Sequence, residues 1–160
     1  MTRTENLTIT TVSGTSYLED YGVKMGGGFI SAILAPAGLK EFVRNETRLS
    51  HGAEYVVSNP RFAERKVSLS FSVQGEGLTA EARRKSFCQR MNWLIERLGE
   101  GSVSFSAPCL NTWDGSTEVT RVFRLIFTGT SITYNQNRER SFAILTASFV
   151  EPDPTNRSVS

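Results

Sequence analysis

The sequence predicts a mainly β fold of the α+β class, an antiparallel β-sandwich or partly open barrel with one long helix packed across it. Three observations carry that expectation. Val67-Ser68-Leu69-Ser70-Phe71-Ser72-Val73 alternates strictly, so Val67, Leu69, Phe71 and Val73 share one face of a sheet and three serines share the other. The segment Thr79 to Gly99 has helical periodicity. After it the chain returns to short apolar alternations joined by turn residues, the pattern of an antiparallel meander.

In chain order, Leu7 and Ile9 alternate in an opening strand punctuated by Ser13-Gly14. Tyr17 to Asn59 is the least patterned stretch. It holds Gly26-Gly27-Gly28, the apolar pairs Phe29-Ile30 and Ile33-Leu34, Pro36, Gly38, a mixed run Leu39 to Arg48, and the turn-like Ser50-His51-Gly52. A short strand or two and an ordered or partly mobile loop are expected there.

The helix has its own start and stop chemistry. Thr79 can accept from an orphan amide of the first turn, Glu81 complements the positive end of the dipole, and Gly99 can turn left-handed at the end. Phe87, Met91, Leu94 and Leu98 form one stripe, widened by Cys88 and Ile95, and the stripe should pack on a sheet. Lys85, Gln89, Asn92 and Glu96 occupy the opposite side. Trp93 falls near that polar side, bracketed by Gln89, Arg90 and Arg97. A tryptophan there needs a cover, supplied by a loop of the same chain or by a neighbouring subunit. Arg83, Arg90 and Arg97 recur every seventh residue along one edge. Their expected role is to lay their stems on apolar surface and pair with carboxylates; steering a polyanion is the rival use.

Beyond the helix, Val103 and Phe105 alternate in a strand that ends at Pro108. A loop containing Trp113 and the hairpin signal Asp114-Gly115 leads to a return strand, Val119 to Gly129. Ile132 and Tyr134 run into the turn Asn135 to Arg138, and Ser141 to Val150 forms the last strand, ended by Glu151-Pro152-Asp153-Pro154.

With 160 residues, 39% of them hydrophobic and 21% charged, the chain can bury one full core. A single domain over 1–154 and a flexible tail over 155–160 are expected. No apolar run approaches the ~20 residues of a membrane-crossing helix, and Met1 to Thr11 carries no stretch of signal-peptide length, so synthesis in a cytoplasm is expected. A net charge of +2 is too small for sequence-independent nucleic-acid binding. Cys88 and Cys109 have no metal-ligand spacing; Cys88 is expected to be a small buried hydrophobe, and the compartment argues against a disulfide.

Active-site chemistry is sparse. His51 is the only histidine and is expected on the surface, so neither a histidine metal cluster nor a serine triad has its usual partner. No serine sits in a Gly-x-Ser-x-Gly elbow. Gly26-Gly27-Gly28 lacks a lysine at the phosphate-binding offset and precedes no clear helix. The acid pairs Glu19/Asp20 and Glu151/Asp153 have no evident partner face. A non-enzyme without cofactor or metal is expected.

The order of parts resembles a known family. Ser58-Asn59-Pro60-Arg61-Phe62-Ala63-Glu64-Arg65-Lys66, the alternating strand to Gln74-Gly75, and the helix with Leu94 and Leu98 are similar to the N-terminal domain of siphophage distal tail proteins. Asp20-Tyr21-Gly22-Val23 and Phe149-Val150-Glu151-Pro152-Asp153-Pro154 fit the same pattern. The resemblance spans most of residues 17 to 154 and implies the wider tail-tube-like fold. It further implies a structural subunit of a phage or prophage tail, assembled in the bacterial host cytoplasm into a homo-oligomeric ring, commonly hexameric, around a DNA-transit channel. Other tail or baseplate proteins would be its partners, and it transfers no catalytic residues. Many such proteins carry a second, carbohydrate-binding-like domain. Only about six residues follow Pro154 here, which favours a minimal hub ring or a tail-tube subunit; a neck or tail-completion protein is a further reading.

Edge strands can pair between identical subunits, and head-to-tail contacts around an axis close into a ring. Trp93, Arg90, Arg97, Trp113, Phe29 and Ile30 are the expected contact residues. The alternative is a monomeric β-sandwich module that stacks a carbohydrate or other small ligand on Tyr55, Trp113 or Tyr134.

Overall fold

A computed structural model of the chain describes residues 4–38, 43–45, 54–56 and 63–158, with the backbone alone at 43–45, 54–56, 130–133 and 135. Within it, seven strands form one antiparallel sheet that curls into a half-barrel, with a long helix across it. Of the two arrangements expected, this is the open barrel.

The strands are β1 (Thr8–Thr11), β2 (Gly14–Tyr17), β3 (Val23–Met25), β6 (Arg65–Gln74), β7 (Ser102–Ser106), β10 (Phe123–Gln136) and β11 (Phe142–Glu151), in the order β2-β1-β7-β10-β11-β6-β3. Val67, Leu69, Phe71 and Val73 are buried and Ser68 is exposed, as the alternation requires. On β11, Ala143, Leu145, Ala147 and Phe149 repeat the pattern, and β6 and β11 pair along their whole lengths. Phe71, Phe105 and Phe149 meet at the centre, with ring centroids 5.8 to 6.4 Å apart.

Curvature comes from β10. Its register against β11 steps from Phe127 opposite Phe149 to Ile132 opposite Ala147, across an interruption that contains Gly129 at φ 67°. Such bulges bend a strand and increase its twist. The expected strands Val119–Gly129 and Ile132–Tyr134 are therefore one long strand. Val119 belongs instead to a separate hairpin of β8 (Thr112–Asp114) and β9 (Thr117–Val119), whose Asp114-Gly115 turn has the left-handed φ of 63° that its signal demands.

The described part of the stretch from Tyr17 to Asn59 is more regular than expected. It contains a 3-10 turn (Leu18–Tyr21), β3, the helix α1 (Phe29–Leu34) and a backbone hairpin of β4 (Val43–Asn45) with β5 (Glu54–Val56). Phe29 and Ile33, one helical turn apart, enter the core, and six residues are too few to display a period. A helix thus does follow the glycine triplet. His51, the rest of Ser50-His51-Gly52, and the Ser58 to Phe62 part of the family resemblance lie outside the described residues.

The long helix α2 spans Ala80–Leu98, capped by the Thr79 side chain, which accepts from the Ala82 amide at 3.1 Å. Phe87, Leu94 and Leu98 are buried and Met91 packs beside them. The widening residues do not follow: Cys88 is exposed and Ile95 is 39% exposed. The helix is rolled toward its arginine edge, so that Arg90, Trp93 and Arg97 are half-buried in their place. Gly99 stays right-handed (φ −72°), and the left-handed turn falls at Gly101 (φ 97°). Cys88 and Cys109 are both exposed free thiols.

Thr155–Ser158 is not a loose tail. The Val122 amide donates to the Arg157 carbonyl at 2.8 Å, and Arg124 donates to the carbonyls of Asn156 and Ser158 at 3.1 and 3.0 Å. No helix among the described residues is long and apolar enough to cross a membrane.

Candidate functional site

Each arginine of the heptad ladder on α2 reaches a carboxylate. Arg83 Nε donates to Glu139 at 3.1 Å, Arg90 contacts Glu76 at 3.4 Å, and Arg97 contacts Glu100 at 2.8 Å. Arg90 also donates to the Gln74 carbonyl, and its guanidinium fills the space a side chain on Gly22 would need. Gly22 has φ 69°, so a side chain there would also be strained. The Arg83 hydrogen bond, with Ser141 adding to it, holds the Glu139 carboxyl below its usual value. The Ser13 and Thr11 hydroxyls, with Arg97 behind them, do the same for Glu100. The ladder is a set of partnered arginines along the rim of the core.

Trp93 is covered from within the chain. Its ring stacks on Tyr21, with centroids 3.9 Å apart and planes 3° from parallel. Tyr21 itself is 38% exposed, so the pair forms a solvent-facing step between the 3-10 turn and α2. The other expected contact residues are dispersed. Trp113 projects from the β8–β9 hairpin at 62% exposure, and Ile30 is exposed on α1. Phe29 is corrected: it is buried against Phe71 and Phe105, a core residue that presents nothing to a partner. Of the aromatics suggested for ligand stacking, Tyr55 lies on β5, Trp113 on β8 and Tyr134 on β10, which belong to three separate sheets.

The two edges of the seven-stranded sheet differ. At β3, the Gly26 amide bonds Ser70 and the Gln74 amide bonds Gly22, so the amide of Met25 points away from β6. Glu5 caps it at 2.9 Å. At β2, Leu18 donates to Leu7 at 3.0 Å and Thr15 lies opposite Thr10. Alternation along an antiparallel pair then turns the Thr15 amide outward, along an exposed edge. Periodicity marks edge-compatible strands but does not distinguish these two edges, because the Met25 cap is a carboxylate twenty residues away in sequence.

Sequence reasoning missed an ionic centre inside the fold. Glu151 is fully buried opposite Arg65, which is 6% exposed. Arg65 Nε donates to Glu151 at 2.9 Å, and its Nη1 donates to the carbonyls of Ile33 and Ala35 at 2.8 and 2.7 Å, fastening the end of α1. Arg157 grips the same carboxylate through Nε and Nη2 at 2.9 and 2.8 Å. Burial pulls the Arg65 guanidinium below its ordinary value; Glu151 opposes that shift and Arg157 and Arg121 add to it. The signal was present: Arg65 continues the buried register of Val67, and Glu151 continues that of Phe149.

Among the described residues no group of three or more His, Cys, Asp or Glu is placed to hold a metal ion. Compared with known proteins, the chain matches no family model and no curated sequence.

Proposed function

We propose that the chain is a non-enzymatic structural subunit of a phage or prophage tail, a distal-tail or tail-tube component that self-assembles into a ring. The observation that carries the reading is the exposed, outward Thr15 amide of β2, uncapped among the described residues, on a curled antiparallel sheet whose other edge has the Met25 amide capped by Glu5. An uncapped edge offers backbone groups to a second chain. The exposed β8–β9 hairpin with Trp113 is a different patch, and two different patches are what a head-to-tail interface needs. The order of parts shared with distal tail proteins supports the same reading. In the particle, the ring would sit in the virion tail against other tail or baseplate proteins, with DNA passing through its lumen.

Thr15→Pro tests the edge. Proline removes the outward amide and leaves the inward bonds of β2 to β1 in place. Sedimentation velocity should show a smaller species for Thr15→Pro than for the unaltered chain, with unchanged circular dichroism. An identical oligomer would remove β2 from the interface. The monomeric binding module is the reading to adopt if neither protein associates.

A further inference from the structure

A cleft of ≈ 280 Å³ opens beside the ionic centre, lined by Leu34, Pro36, Ala37, Arg121, Pro154 and Arg157. Among the described residues, Arg65, Arg121 and Arg157 converge on a region whose one buried carboxylate is Glu151. Both oxygens of Glu151 are engaged: Arg65 and Arg157 share Oε1, and Arg157 also takes Oε2. Asp153, the next acid along the chain, accepts from the Thr155 amide and hydroxyl at 3.1 and 2.6 Å.

The arginines are fixed before any ligand arrives. The Arg157 and Arg121 guanidinium carbons lie 4.8 and 5.7 Å from the centroid of the buried Phe123 ring, and a ring face holds such a group by its quadrupole. Arg121 makes no ion pair among the described residues, and its backbone is tied down by a bridge to Ser158. Arg65 Nη2 is buried without a hydrogen-bond partner among them. The wall opposite is apolar and is anchored by Arg65 through the carbonyls of Ile33 and Ala35.

We propose that this cleft binds a doubly charged oxyanion of the phosphate-monoester class, its oxygens between Arg121 and Arg157 and its organic substituent against Leu34, Pro36 and Pro154. Guanidinium forks match the geometry of phosphate oxygens. A dianion adds negative charge where, among the described residues, Glu151 is the one buried carboxylate among three arginines. The site is independent of the ring-assembly reading, since its lining residues lie at the end of α1 and beside Arg121 and Arg157, not on the β2 edge.

The probes are inorganic phosphate and phenyl phosphate, each titrated into the full chain at constant ionic strength set with sodium chloride, with benzoate as the singly charged comparison. Amide chemical shifts of Ala37, Phe123 and Arg157 should move saturably with both phosphates, and phenyl phosphate should bind more tightly than either other anion. Arg121→Gln should weaken binding about tenfold or more, the worth of one charge-assisted hydrogen-bonding partner, and Arg84→Gln on the exposed face of α2 should not. Shifts scattered over the surface, absence of saturation, or equal affinity in Arg121→Gln would overturn the site. Should Arg121→Gln fail to fold, the shift map of the unaltered chain decides alone.

Discussion

The protein contains two arginine–glutamate systems built from the same groups and set in opposite surroundings. On α2, Arg83, Arg90 and Arg97 meet Glu139, Glu76 and Glu100 along the rim of the core, where each pair stays partly exposed to water. At the far ends of β6 and β11, Arg65 and Arg157 enclose a Glu151 that has no exposure. The contrast teaches where charge is structural. A rim pair can lose one member and let water replace it, whereas removing one member of a buried pair strands the other in a medium that cannot solvate it.

The largest effect should follow from Glu151→Ala, which leaves Arg65 and Arg157 facing each other. A loss of about 3–5 kcal/mol in urea unfolding is expected. Arg65→Met keeps Arg157 on Glu151 and should cost less; equal costs would mean that the centre does not act as a three-membered unit. Next comes Trp93→Ala, which removes a half-buried ring stacked on Tyr21. About 2 kcal/mol is expected from lost packing, read by thermal unfolding. Light scattering on the same variant assigns its further role, because an unchanged mass would take Trp93 out of any interface.

Smaller effects belong to the rim. Glu139 has a folded value below its unfolded one, so its contribution is present above about pH 4.3 and is lost as pH falls through the folded value. Glu139→Gln should lower Tm slightly at neutral pH and flatten the acid limb of a Tm-against-pH curve, the two curves converging as pH falls through the folded value of Glu139; curves that stay parallel would mean the Arg83 contact is not kept in solution. Glu76→Ala should cost under about 1 kcal/mol, and the difference should vanish in about 0.5 M salt. Persistence of the difference in salt would place that pair on the buried side of the comparison.

Much of the fold was legible, for identifiable reasons. β6 and α2 are long enough to repeat their periods several times, and the cap at Thr79 is local chemistry. α1 escaped because six residues after three glycines show no period, and β10 was divided because its bulge at Gly129 reads as a turn. The side on which α2 widens its buried face was misjudged because hydrophobicity favours Cys88 and Ile95, while Tyr21 and Glu100 offer Trp93 and Arg97 partners on the other flank. The ionic centre was hidden by habit of sign: charges at strand ends read as punctuation, yet Arg65 and Glu151 keep the inward register of their strands and find each other across the sheet. Of the expected contact residues, Trp113 and Ile30 reach the surface, Arg90 and Arg97 are occupied on the rim, and Phe29 belongs to the core.

The mass of the purified chain by light scattering, followed from dilute to concentrated solution, tests assembly most directly. The account predicts growth to one discrete multiple of the 17.7 kDa protomer, with no larger species beyond it. A mass that stays at one protomer at every concentration would contradict it.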